Sequence, residues 1–108
     1  MKIRRMTPVR LTAVAARFKV LSEPARLQVL DALRGGPLHV SALMEATGLN
    51  QANLSRHLQV LHADGLVSRR RDGLFVFYAI ADQSVVELCD LVCGAVESRA
   101  RQAAQAFR

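Results

Sequence analysis

The side chains whose types and spacing suit chemistry fall in three places along the chain. Between Gln51 and Gln59, positions Ala52, Asn53, Ser55, Arg56 and Gln59 are small or hydrogen-bonding, while Leu54, Leu58 and Leu61 recur at i, i+4 and i+7. A helix with that apolar stripe turns the polar positions outward. Asn and Gln there can pair with adenine and Arg with guanine in the major groove of DNA, and the small residues let the helix approach closely. A merely solvated face would also be polar, but basic segments flank this one: Lys2, Arg4, Arg5 and Arg10 before it, Arg69, Arg70 and Arg71 after it. Such flanks suit phosphates on either side of a base-reading helix.

The second place is that arginine run. In an antiparallel hairpin side chains alternate, so Arg69 and Arg71 share one face and Arg70 takes the other. Arg69 and Arg71 are the expected DNA contacts, with Arg70 left to solvent or an internal ion pair.

The third place is Cys89 and Cys93, the only cysteines. At i, i+4 on one helical face they are badly placed for a structural disulfide. Their spacing is not Cys-x-x-Cys and no strand and turn precede them, which argues against a dithiol oxidoreductase. They can pack as small hydrophobes, ranked first, or serve as ligands for a soft metal or metalloid ion. Glu87, Asp90 and Glu97 should raise the thiol pKa and oppose spontaneous oxidation, and the first cation downstream is Arg99. The histidines read as structural or solvated: His57, on a helix flank, makes a structural or backbone-orienting hydrogen bond, His62 is a cation or cap at a helix end, and His39 lacks a second ligand at useful spacing.

The elements that must position these groups follow from punctuation and period. A first helix runs from Thr12 to Leu21 with Val14, Ala15, Phe18 and Leu21 at helical spacing. Ser22 caps a second, from about Glu23 to the Gly35-Gly36-Pro37 breaker, with Leu27, Val29, Leu30 and Leu33 inward. A short third helix, about Val40 to Ala46, with Ser41 as cap, and the turn Thr47-Gly48-Leu49-Asn50 lead to the fourth, Gln51 to about Ala63, capped by Asn50. Helix, glycine-containing turn and helix form the helix-turn-helix arrangement. Leu66–Arg71 and Leu74–Ile80 read as strands around an Asp72-Gly73 type I′ turn. From Asp82 a long helix carries Val85, Leu88, Cys89, Val92, Cys93 and Val96 on one stripe, more apolar surface than one small protomer should need.

The predicted fold is mainly α with a small β-hairpin: a winged helix-turn-helix of five helices and a two-stranded wing. The 108 residues suffice for one domain, residues 1–108. The hydrophobic fraction is 51% with only 5% aromatic, so Leu, Val, Ala and Ile must build the core, as in helical packing. Net charge is +6 and segregated: Met1–Arg10 holds no acid, and Asp82–Glu97 holds four acids and no base. That asymmetry favours a polyanion on one surface. No long uncharged apolar run suggests a membrane span, and Arg10, Arg17 and Lys19 interrupt any signal-like stretch, so the cytoplasm is expected.

The sequence resembles the ArsR/SmtB family of winged-helix regulators. The matching words are Leu21-Ser22-Glu23-Pro24-Ala25-Arg26-Leu27 with Val29-Leu30, then Leu54-Ser55-Arg56-His57-Leu58 with Leu61, Gly65-Leu66-Val67, Arg71-Asp72-Gly73 and Phe77-Tyr78, covering about Val20 to Ile80. The resemblance implies a homodimer joined by the first and last helices, about 9–21 and 83–106. It implies a repressor on a double-stranded promoter inverted repeat, released by an effector, and no enzyme activity. A thiol-based redox response, or regulation without effector, is the alternative. Members that sense metal or arsenite on the third helix carry Leu-Cys-Val-Cys-Asp-Leu; here Leu38-His39-Val40-Ser41-Ala42-Leu43 lacks both thiols. Members that bind zinc between paired last helices carry Asp-x-His, of which Asp82-Gln83-Ser84 keeps only the Asp. No cofactor is therefore assigned beyond a soft metal or metalloid at Cys89 and Cys93.

Overall fold

Thr7 and Pro8 supply a helix start: the Thr7 hydroxyl accepts from the Arg10 amide at 3.2 Å, and proline fits the first helical position. Helix α1 therefore spans Pro8–Leu21, earlier than its apolar periodicity alone indicates. The computed structural model describes residues 4–107, ordered as α1, α2 (Pro24–Ala32), a 3-10 turn (Leu33–Gly35), β1 (Leu38–His39), α3 (Val40–Thr47), α4 (Gln51–Ala63), β2 (Val67–Asp72), β3 (Phe75–Ile80) and α5 (Gln83–Gln105).

Two expected caps are corrected. Ser22 closes α1 rather than opening α2, because its hydroxyl donates to the Lys19 carbonyl at 2.7 Å; Glu23 is the N-cap residue of α2. The cap of α3 is His39, whose Nδ1 accepts from the Ala42 amide at 3.2 Å, rather than Ser41. Asn50 caps α4 as its position predicts, accepting from the Asn53 amide at 2.9 Å. Between α3 and α4, Gly48 takes a φ of 73°, a left-handed conformation that costs glycine little and reverses the chain tightly.

The hairpin forms, joined by a third, two-residue strand, β1, that no local pattern predicts. The order is β1-β3-β2, all antiparallel. Its turn sits one residue further on than expected. Asp72 pairs with Phe75, so Gly73 and Leu74 are the central residues, and only Gly73 has positive φ, at 62°. Positive φ at the first central position alone matches a type II′ rather than a type I′ turn.

The core joins Leu21, Val29, Leu30, Leu33 and Leu43 to the inner face of α4 and to Leu66, Val67, Tyr78 and Val85. Two details of the expected core change. Leu27 is exposed, and Val85 is buried within the protomer rather than left on the free stripe of α5. Val85 is the only buried residue of that 23-residue helix; Leu91, Val92 and Val96 are 74%, 52% and 63% exposed. The radius of gyration is 16.9 Å, against about 13 Å for a compact chain of this length. The difference reflects long terminal helices with unpartnered apolar faces.

Candidate nucleic-acid interface

Helix α4 divides cleanly. Leu54, His57, Leu58 and Leu61 are buried, while Gln51, Ala52, Asn53, Ser55, Arg56 and Gln59 are exposed. The buried set repeats at i, i+3, i+4 and i+7 and so do Ala52, Ser55, Arg56 and Gln59, which places the two sets on opposite faces. Among the described residues, the side chains of Gln51, Asn53, Ser55, Arg56 and Gln59 make no internal hydrogen bond or ion pair. Their donors and acceptors face outward uncommitted.

The wing is fixed to the end of this helix by backbone. The Leu66 amide donates to the Leu61 carbonyl and the Ala81 amide to the Leu66 carbonyl, each at 3.0 Å, so both strands leave from the base of α4. Register sorts the arginines: Arg69 lies opposite Tyr78 and Arg71 opposite Val76, on the sheet face that carries buried Val67, while Arg70 lies opposite Phe77. Arg70 thus shares its face with His39, Phe75 and Phe77, whose rings pack in tilted and edge-on pairs with centroids 5.2–6.4 Å apart. All three arginines are exposed and none has an ion-pair partner among the described residues.

Internal ion pairs draw on other cations. Arg17 serves Asp64 and Asp82, Arg26 serves Glu23, and Arg34 serves Asp31 and Asp90. Arg4, Arg5, Arg10, Arg56 and the wing arginines are left free among the described residues, while two acids of the last helix region, Asp82 and Asp90, are neutralised. Lys2 lies outside the described residues.

His57 differs from its expected place. It lies on the inner face of α4 rather than its flank, 3% exposed, and makes the expected structural hydrogen bond, its Nδ1 accepting from the Arg26 Nε at 3.2 Å. The pairing spans 31 positions and has no local signal. Burial, then the nearby Arg56 charge, pushes the imidazole pKa below its ordinary value.

The cysteines stand apart from this face. Cys89 is half-buried and Cys93 exposed, on the wall of a groove of about 720 Å³ that also includes Phe18, Leu27, Leu30 and Leu88. The negative charge of Glu97, 3.6 Å from the Cys93 sulfur, and its hydrogen bond raise the Cys93 pKa, as the neighbouring acids suggested. The sequence indicates no cation near the pair, but Arg34 reaches over to Asp90 and partly opposes that rise. Among the described residues no three His, Cys, Asp or Glu side chains of one protomer gather as a metal site. His39 is engaged as a cap, and Asp82 accepts from the Ser84 amide and pairs with Arg17, so these two side chains have structural work here.

Residues 23–69 match the model of the "Bacterial regulatory protein, arsR family". Over 81 residues the chain is 35% identical to the biofilm growth-associated repressor of Agrobacterium fabrum, covering 75% of this chain and 69% of that protein. The chain belongs to the ArsR family. Another relative of this ArsR-family chain is the HTH-type transcriptional regulator NmtR of Mycobacterium tuberculosis, 42% identical over 77 residues, 71% of this chain. The match spans 64% of NmtR, less than two thirds of its length. Among solved structures, the homodimeric winged helix-turn-helix DNA-binding domain of Mb0332 from Mycobacterium bovis superposes with a TM-score of 0.77 at 35% identity, over 94% of this chain and 95% of that one. ArsR-family relatives are named as regulators rather than enzymes, and the fold here is their winged helix-turn-helix. Among the described residues no helix is long and apolar enough to cross a membrane.

Proposed function

We propose that the chain is a cytoplasmic, homodimeric transcriptional repressor that binds an inverted repeat in duplex DNA. The observation that carries the proposal is the exposed and uncommitted polar face of α4, backed by an inner face locked into the core. In this reading Gln51, Asn53, Ser55, Arg56 and Gln59 meet base edges, and Arg69 and Arg71 meet phosphates or the minor groove. The whole of residues 1–108 acts as one winged-helix domain. Segments 9–21 and 83–106 form the dimer interface, which supplies a use for the exposed apolar residues of α1 and α5. The repressor role rests on the names of relatives such as the Agrobacterium protein.

Release of DNA by a soft metal or metalloid at Cys89 and Cys93 is the regulatory part of the proposal. Two thiols of one protomer are too few for a closed tetrahedral site, so ligands from the second protomer must complete it. Sequence selection tests the central reading. The full chain should enrich particular duplexes from a random library in the presence of excess competitor DNA, because weak binding at low salt is expected of any basic protein. Failure to enrich any sequence would leave only non-specific binding.

A further inference from the structure

Resting on α4 as the recognition helix, we infer that the Glu23–Arg26–His57 cluster positions that helix, and that DNA selection requires His57 as a neutral acceptor. The cluster ties three elements together. Arg26, at the start of α2, donates from Nε to His57 Nδ1 at 3.2 Å and from Nη1 to the Val20 carbonyl of α1 at 3.2 Å. Its Nη2 lies 3.8 Å from Glu23, whose second carboxylate oxygen is 3.6 Å from the same His57 Nδ1. The exposed reading face, Arg56 included, therefore sits on a helix whose buried side is pinned by one side-chain hydrogen bond to α2.

An imidazole whose Nδ1 accepts carries its single proton on Nε2. Protonation places a hydrogen on Nδ1, converting the acceptor into a donor that faces the Arg26 guanidinium. Glu23 is then the only acceptor in the cluster for that hydrogen, and meeting it requires Arg26 and the imidazole to rearrange. The charged groups around His57 are Glu23 and Arg26 from α2 and Arg56 from α4 itself, two cations and one anion, so the surroundings oppose a further positive charge. Because the folded-state pKa is depressed, the neutral imidazole contributes stability above the ordinary histidine value. That contribution is lost as pH falls through the folded-state value.

The test uses the full chain and the duplex that the wild type enriches from a random library at about pH 7.5. Affinity for that duplex and for a scrambled one is measured down to about pH 5.5, with helical content recorded at each step. Three proteins are compared: wild type, His57→Asn, whose Oδ1 keeps an acceptor near the Nδ1 position without titrating, and His57→Leu. His39 and His62 remain in all three, so their protonation is common to the set. The wild type should lose about tenfold in its preference for the enriched duplex over this range, and His57→Asn should keep that preference at both ends. His57→Leu should lose about tenfold already at pH 7.5 with its helical content intact, because Arg26 Nε is left without its acceptor. Equal pH profiles for wild type and His57→Asn, or wild-type selection by His57→Leu, would overturn the inference. Should His57→Leu not fold, the His57→Asn profile decides alone. Absence of any enriched duplex would instead refute the recognition-helix reading beneath it.

Discussion

Arg17 in α1 reaches Asp82 at the cap of α5, with Nη1 and Oδ2 3.1 Å apart. The same guanidinium lies 2.7 Å from Asp64 at the end of α4 and donates to the Asp64 carbonyl, so one side chain joins α1 and α5 to the base of α4. Asp64 Oδ2 is buried and, among the described residues, accepts no hydrogen bond, so the Arg17 ion pair is what offsets its burial. Arg17→Ala should therefore destabilise the fold by about 1 kcal/mol, with partial exposure of the groups screening the rest. The expected fall in Tm is several degrees, about 4–8 °C per kcal/mol for a chain of this size. An unchanged Tm would show that the triad holds nothing.

The free stripe of α5 gives a prediction about assembly. Val92→Asp together with Val96→Asp should convert a dimer into a folded monomer in sedimentation at micromolar concentration, because neither residue belongs to the core of the protomer. Val85→Asp should unfold the chain instead, since Val85 is 2% exposed.

Much of this architecture is legible locally. Asn50 as cap, the i, i+3, i+4 pattern of α4 and the outward Ser55, Arg56 and Gln59 all follow from spacing within one helix. What spacing misses is set by contacts between distant segments. Strand β1 exists only because Leu38 and His39 find Tyr78 and Phe77 across the sheet. The hairpin turn slips by one residue because pairing of Val67 with Ile80 and of Arg69 with Tyr78 fixes the register from the core outward, placing Gly73 first in the turn. His57 and Arg26 are conspicuous in sequence, but their bond crosses 31 positions and becomes visible only once α2 and α4 are packed.

At the cysteines, Glu97→Gln should speed alkylation of Cys93. The Glu97 charge is the largest cause of the raised thiol pKa, so its removal lowers that pKa and increases the thiolate fraction at about pH 8. Replacing both cysteines by Ser should leave DNA affinity within about twofold, since neither thiol is in the buried core. Any release of DNA by zinc, cadmium or arsenite should vanish in that variant. Release by a mild oxidant alone would contradict the assignment of a soft ion.

The wing arginines should separate by face. Arg71→Ala should weaken binding to all duplexes and lower the salt slope by about one unit, whereas Arg70→Ala, on the side of Phe77, should change the slope by less. Equal slopes for the two variants would contradict the division set by strand register.

The most direct measurement is the affinity of wild type, Ser55→Ala and Arg56→Ala for the enriched duplex and for its scrambled counterpart at one salt concentration. If α4 reads base edges, each substitution should cost about 1–3 kcal/mol on the enriched duplex and clearly less on the scrambled one, so that discrimination falls. Equal losses on both duplexes would contradict the account and remove α4 as the reading element.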